Sequence, residues 1–298
     1  MRSKLLALVA IILCVSTFRV HAQKEFQVYA SVVDATGAPV AKLEPSDVRV
    51  TENGLEAKVV KIEPVNWPTK VQLLVDNGVG LGAANISHLK NGIRGLIEAL
   101  PENVEVTIVS TAPQPRFLVR PTADKAAMVK GLDVLAPDSG TGRFVEALNE
   151  ATQRNERDKS NYFPVIIMAA TTAGDRNVLD SDVERLMKRL EQRPATVHVI
   201  LLAGQGQSST GGANQTQVGL AVTKYTRGRF ENINAPARLE ALLPELGAQV
   251  AKSHETQSHQ FRLTVERPAG AKGDVEKISM GARSGLSTTS VSFDGRVP

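Results

Sequence analysis

The period of the apolar residues changes twice along this chain, and that change limits its folds more than any single motif. From Phe26 to Val65 the period is two, from Lys70 short apolar runs alternate with stretches of period near 3.6, and from Gln260 the period of two returns. Alternating runs of this kind build a parallel sheet wrapped in helices. Val28, Ala30 and Val32 share one strand face, and Glu52-Asn53-Gly54 is a hairpin turn between Asp47–Thr51 and a returning strand Leu55–Ile62. In the centre, Val71–Val75, Val104–Ile108, Phe117–Val119, Val165–Ala170 and Val197–Leu202 read as strands, with Arg229-Phe230 at an edge.

Ile86, Leu89, Ile93, Leu96, Ile97 and Leu100 form a helical stripe closed by Pro101. Further helices are expected over Thr122–Leu135, through Phe144, Ala147, Leu148 and Ala151, and after a cap at Asp180 or Ser181. Gln205–Thr216 reads as a mobile loop before a helix through Val218, Val222 and Tyr225. Leu239–Val250 is helical, with Pro244 dividing it or starting its second half. In the tail Phe261, Leu263 and Val265, then Ile278 and Met280, then Val291 and Phe293, alternate again. The fold class is therefore α/β: a doubly wound, mostly parallel sheet over residues 67–255, with a small β-sandwich-like domain in which 23–66 pairs with 256–298. Trp67, between Asn66 and Pro68, is expected to plug the junction.

Met1–Ala22 reads as a secretory signal, with Arg2 and Lys4 before the apolar Leu5–Val15 and a small-x-small site at Val20-His21-Ala22. The expected product is secreted or periplasmic, without a transmembrane anchor. The only cysteine, Cys14, lies in that signal, so disulfides and thiol catalysis are excluded from the processed chain. Loss of Arg2, Lys4 and Arg19 takes three charges from the net +4 and leaves +1. With aromatic residues at 4%, neither phosphate attraction nor base stacking is provided for, and nucleic acid is not an expected partner.

Chemistry concentrates at Lys70–Gly82. The run Val71–Val75 ends at Asp76, and an acid at the carboxyl end of a parallel strand stands where open α/β sheets bind ligands. Gly78-Val79-Gly80-Leu81-Gly82-Ala83 imitates a dinucleotide fingerprint, but the next strand ends Ile108-Val109-Ser110-Thr111 without the acid that holds a ribose. The histidines of His254-Glu255-Thr256-Gln257-Ser258-His259 are five apart and diverge by about 140° on a helix, so the segment reads as a polar linker, not a zinc motif. His88, on a polar helix side, and His198, in a strand, have no adjacent nucleophile or acid. No hydrolase elbow or phosphate loop is present, and the chain is read as non-enzymatic.

Asp34-Ala-Thr-Gly37-Ala-Pro39-Val40-Ala-Lys-Leu43 and Asp47-Val48-Arg-Val50-Thr-Glu52-Asn53-Gly54 precede the α/β part, and Thr226-Arg227-Gly228-Arg229-Phe230 stands near its end. With the order of elements, these segments resemble the von Willebrand factor type A (VWA) domain, in the exported bacterial proteins that carry it behind a short β segment. Arg227 departs from that family's Thr-Gly-Gly-x-Phe. The resemblance implies a metal-ion-dependent adhesion site made of Asp-x-Ser-x-Ser, a threonine and a later aspartate, suited to Mg²⁺.

Here Asp76 matches the first acid, but Gly78 and Gly80 replace both serines. Thr141 is a candidate for the threonine, although counting back from Ala147-Leu148 puts Gly142 in that register. Thr171 and Asp175 are the remaining vestigial candidates. No cofactor is expected. The resemblance implies a protein partner contacting Asp76, Asn77, Ser139, Thr141, Thr171 and Thr172. The alternatives are an envelope assembly component docking through its β domain, and a metal-dependent adhesin with a shifted site.

Overall fold

The computed structural model describes residues 25–174, 178–204, 210–271 and 273–297, so the expected signal Met1–Ala22 and the candidate Asp175 lie outside the described residues. Strand β4 (Thr69–Val75) explains the unbroken apolar run. Val71, Leu73 and Val75 enter one core, with helices on one face of the sheet, and Leu74 enters the other. Each such fully buried side chain contributes about 1.5–3 kcal/mol. Around β4 lie β5 (Glu105–Ser110), β6 (Arg116–Thr122), β7 (Phe163–Thr171), β8 (Thr196–Leu202) and β9 (Phe230–Ile233), in the order β6-β5-β4-β7-β8-β9. All neighbours are parallel except β5 and β6.

One face is covered by α1 (Ile86–Ala99), α2 (Lys125–Gly131) and α6 (Leu239–Ser258), the other by α3 (Phe144–Arg157), α4 (Asp180–Gln192) and α5 (Thr210–Thr226). α1 and α6 approach closely because glycines face them: a Cβ on Gly92 would lie 2.4 Å from the Leu239 carbonyl oxygen, and one on Gly247 would lie 2.8 Å from that of Leu96. Pro244 sits inside an unbroken α6, seated over Gly95, and does not divide the helix.

Four further expectations are corrected. The polar segment from His254 is not a linker, because α6 runs to Ser258 and buries His254 and Gln257; Thr69 Oγ1 and His254 Nδ1 lie 2.9 Å apart. Thr210–Thr216 is helical rather than loop, with buried Gly212 against Thr172; Gln205–Ser209 lies outside the described residues. Neither Asp180 nor Ser181 caps α4: the N-cap is Leu179, and Asp180 and Asp182 sit in the first turn, where acids favour the helix dipole. The helix expected over Thr122–Leu135 is shorter, because Thr122 ends β6 and Leu132–Val134 tightens into a 3₁₀ turn.

The flanks form a second, antiparallel sheet in the order β11-β2-β3-β10-β1-β12. It contains β1 (Glu25–Asp34), β2 (Val48–Glu52), β3 (Leu55–Val65), β10 (Gln260–Glu266), β11 (Ile278–Ala282) and β12 (Leu286–Ser292). Leu55–Ala57 of β3 pairs with β2 and Lys58–Val65 pairs with β10, so one long strand joins the two halves of the sheet. Phe26, Val28, Val50, Phe261, Leu263 and Val265 cluster as its core. Glu52, 1% exposed, accepts from Arg267 Nε at 2.9 Å and also from Nη2, a forked pair beside this core. At the junction the Trp67 ring centroid is 5.5 Å from that of Tyr29 and 5.4 Å from that of Phe163.

The departure at Arg227 has a cost. α5 ends in a left-handed residue, Arg227 at φ 58°, and Gly228 N donates to the Thr223 carbonyl at 2.8 Å. This is the position where helices favour glycine, since a Cβ there crowds the backbone. Arg227→Gly is expected to stabilise the protein by about 0.5–1 kcal/mol, read as a rise in the denaturation midpoint. No gain would mean that the exposed arginine compensates through contacts of its own.

Candidate functional site

The chain leaves β4 toward β5 on one side and later adds β7 on the other, so the strand order reverses beside β4. Asp76 stands at the carboxyl end of that strand, in the crevice such a reversal opens. It is 3% exposed. Its backbone N–H donates to the Ala169 carbonyl at 2.8 Å, and its side chain carries the β4–β7 connection further. Oδ1 accepts from Gly78 N at 2.8 Å, while Oδ2 accepts from Thr171 N at 3.2 Å and Thr171 Oγ1 at 2.6 Å. Both carboxylate oxygens are thus engaged within the protein.

The surrounding loops are zipped together. Asn77 Nδ2 donates to the Ala136 carbonyl at 2.8 Å, and Asn77 Oδ1 accepts from Ala112 N at 3.3 Å. Asp138 N donates to the Asn77 carbonyl at 2.8 Å, and Val79 N to that of Gly140 at 3.0 Å. Thr172 Oγ1 accepts from Gly204 N at 2.8 Å. Ser139 is exposed and Thr141 half-buried on the adjoining loop. The structure therefore brings Asp76, Asn77 and Thr171 together in one bonded cluster, with Thr172 beside it.

Glycines make this closure possible. A Cβ on Gly142 would lie 2.3 Å from Asp76 Cγ and 2.4 Å from Oδ1. One on Gly80 would lie 2.2 Å from Thr171 Oγ1, and one on Gly78 would lie 2.4 Å from the Gly140 carbonyl oxygen. The residue that faces Asp76 is thus Gly142, the position reached by counting back from Ala147-Leu148. A hard divalent ion takes about six oxygens. Here Oδ2 of Asp76 and Oγ1 of Thr171 bond to each other, and Gly78, Gly80 and Gly142 bring no side-chain oxygen to the carboxylate. Among the described residues no group of three or more His, Cys, Asp or Glu side chains is placed to hold a metal.

Three exposed apolar side chains were not legible as functional candidates in the sequence. Val79 and Leu179 are 42% and 62% exposed on the connections that follow β4 and β7, and Val134 is 68% exposed in the 3₁₀ turn after α2. Each belongs to a different connection, so no single window displays them. The histidines stand elsewhere. Burial, with a smaller effect of Arg229, pushes His198 down to about 4, and its Nδ1 accepts from Arg229 N at 3.1 Å. Burial also lowers the pKa of His254. His88 Nδ1 lies 2.7 Å from Glu240 Oε1, tying α1 to α6.

A doubly wound sheet with an acid at its switch point defines a class, the Rossmann-like units that recognise ligands beyond their strand ends. Within that class residues 71–172 match the family model of the von Willebrand factor type A domain, and the chain carries that domain. The fold is similar to a von Willebrand factor type A protein from Catenulispora acidiphila, at TM-score 0.53 and 12% identity over 91% of this chain and 74% of that one. It is also similar to the pilus adhesin SpaC from Lactobacillus rhamnosus GG, at TM-score 0.50 and 12% identity over 74% of this chain and 37% of that one. No curated protein matches the sequence. Among the described residues no helix is long and apolar enough to cross a membrane.

Proposed function

We propose that this chain is an exported, non-enzymatic interaction module of adhesion type, whose VWA domain holds a protein partner without a divalent cation. The observation that carries the reading is the sealed carboxylate of Asp76, bonded to Gly78 and Thr171 and faced by a glycine where the family has a ligand. The contact surface is the strand-end face around it, made of Ser139, Thr141 and Thr172 with exposed Val79 and Leu179 on the connections that follow β4 and β7. A protein of the same fold is a pilus adhesin, which supports the partner class by analogy.

Titrating Mg²⁺, Mn²⁺ and Ca²⁺ into the signal-free protein, followed by affinity capture from envelope and culture medium with and without EDTA, tests this. Capture should be indifferent to EDTA and lost in Leu179→Asp and Val79→Asp. Micromolar cation binding that disappears in Asp76→Ala, or capture abolished by EDTA, would overturn the degenerate site.

A further inference from the structure

At the amino ends of β7 and β8, where the α/β unit meets β1 and β10, lies a cleft of about 360 Å³. That volume lies within the range of small-molecule sites, about 300–1,000 Å³. Tyr29, Trp67, Tyr162 and Phe163 line it with flat rings, and Arg193, Arg262 and Arg296 surround it with cations. Nine residues of β7 separate it from the Asp76 face, a rise of roughly 26 Å.

The charges do not cancel. Arg262 Nη2 reaches Glu63 Oε2 at 3.0 Å, and Arg296 Nη2 reaches Asp294 Oδ2 at 2.6 Å. Arg193 pairs with no carboxylate among the described residues. Its Nη2 donates to the Ser160 carbonyl at 2.7 Å, its guanidinium lies 4.8 Å from the Tyr162 ring centroid, and its Nε is buried with no hydrogen-bond partner. Beside the cleft Gln260, 1% exposed, leaves both amide atoms without partners; its Oε1 is 3.3 Å from where a Cβ on Gly295 would stand. Burial raises the pKa of Tyr29 and Tyr162, so neither phenol supplies the missing negative charge.

Buried polar groups without partners are uncommon because they lose water and gain nothing. An unneutralised guanidinium framed by rings recognises an anion with a planar apolar body. Asp294, the one acid among the lining residues, disfavours a doubly charged phosphate and leaves room for a monoanion. We propose that the cleft binds an aromatic carboxylate, its ring against Trp67 and Tyr29 and its carboxylate on Arg193. This chemistry is supplied equally by a small free acid or by the terminal carboxylate of a chain ending in an aromatic residue.

Trp67 is the only tryptophan in the chain and lies in the cleft wall, so its fluorescence reports occupancy directly. The full signal-free protein is titrated with phenylacetate, with phenylacetamide, and with an acetylated tripeptide ending in phenylalanine as the free acid or the amide. A saturable change is expected with an acid and about tenfold weaker binding of the matching amide. Tighter binding of phenylacetate assigns a small-molecule site, and tighter binding of the peptide acid a chain-end site.

Arg193→Met should weaken binding about tenfold in a protein whose thermal unfolding is unchanged. Asp294→Asn frees a second cation and should tighten it, which keeps the test open if Arg193→Met does not fold. The proposal is overturned if no acid perturbs Trp67, if amides bind as tightly as acids, or if Asp294→Asn weakens binding.

Discussion

Asp76→Ala is expected to destabilise the protein by about 3–5 kcal/mol in chemical denaturation, in the presence or absence of Mg²⁺. The carboxylate accepts three hydrogen bonds in a site that is 3% exposed. Its removal leaves the Gly78 and Thr171 N–H groups buried with nothing to bond, and such orphaned donors cost about 1–3 kcal/mol each. Asp76→Asn should fall between the unsubstituted protein and Asp76→Ala. Its oxygen can serve Thr171, while its amide nitrogen then faces the Gly78 N–H donor to donor. A loss below about 1 kcal/mol in Asp76→Ala would refute the sealed arrangement, because a carboxylate held for a cation is a burden to the apo fold.

Gly142→Thr is the complementary substitution, adding the side chain that the family places near its metal. With a Cβ 2.3–2.5 Å from three atoms of the Asp76 carboxylate, the loop or the aspartate must move and the bonds to Gly78 and Thr171 must give way. Overpacking of this kind costs about 1–3 kcal/mol, and the lost hydrogen bonds add to it, so a total of about 3 kcal/mol or more is expected. Saturating Mg²⁺ should restore none of it, since Gly78 and Gly80 still lack oxygens. If the variant instead melts normally and gains stability from Mg²⁺, the site is one side chain away from metal binding.

Much of the architecture could be read from periodicity because both faces of the central sheet are apolar. Val71–Val75 sends alternate residues to opposite cores, and the stripe from Ile86 to Leu100 places Leu89, Ile93, Leu96 and Ile97 against β-strand residues such as Val71 and Ile108. Pattern misled where tertiary contact overrode composition. Thr210–Thr216 looked like a loop because of its glycines, but Gly212 is the small residue that lets α5 lie against Thr172. The segment after Val250 looked like a linker because it is polar, whereas His254 is buried against Thr69.

The site was half legible. Asp76 at a strand end was visible, as was the loss of oxygens at Gly78 and Gly80. That Thr171 would consume the carboxylate required three dimensions, because those two residues are far apart in sequence and meet only through the pairing of β4 with β7.

The route of the chain between its two units bears on how firmly they are joined. Residues 66–68 lead from β3 into β4, and His259 alone separates α6 from β10, the strand paired to both β1 and β3. Tension applied across the two units is therefore divided between two short crossings. One is backed by the Trp67 ring contacts and the other by a twenty-residue helix seated along α1. A single flexible tether would stretch first and dissipate the load. Here both crossings enter at β3 and β10, the two strands in the middle of the flank sheet, so the two units are held at two points rather than one and the joint is expected to be stiff.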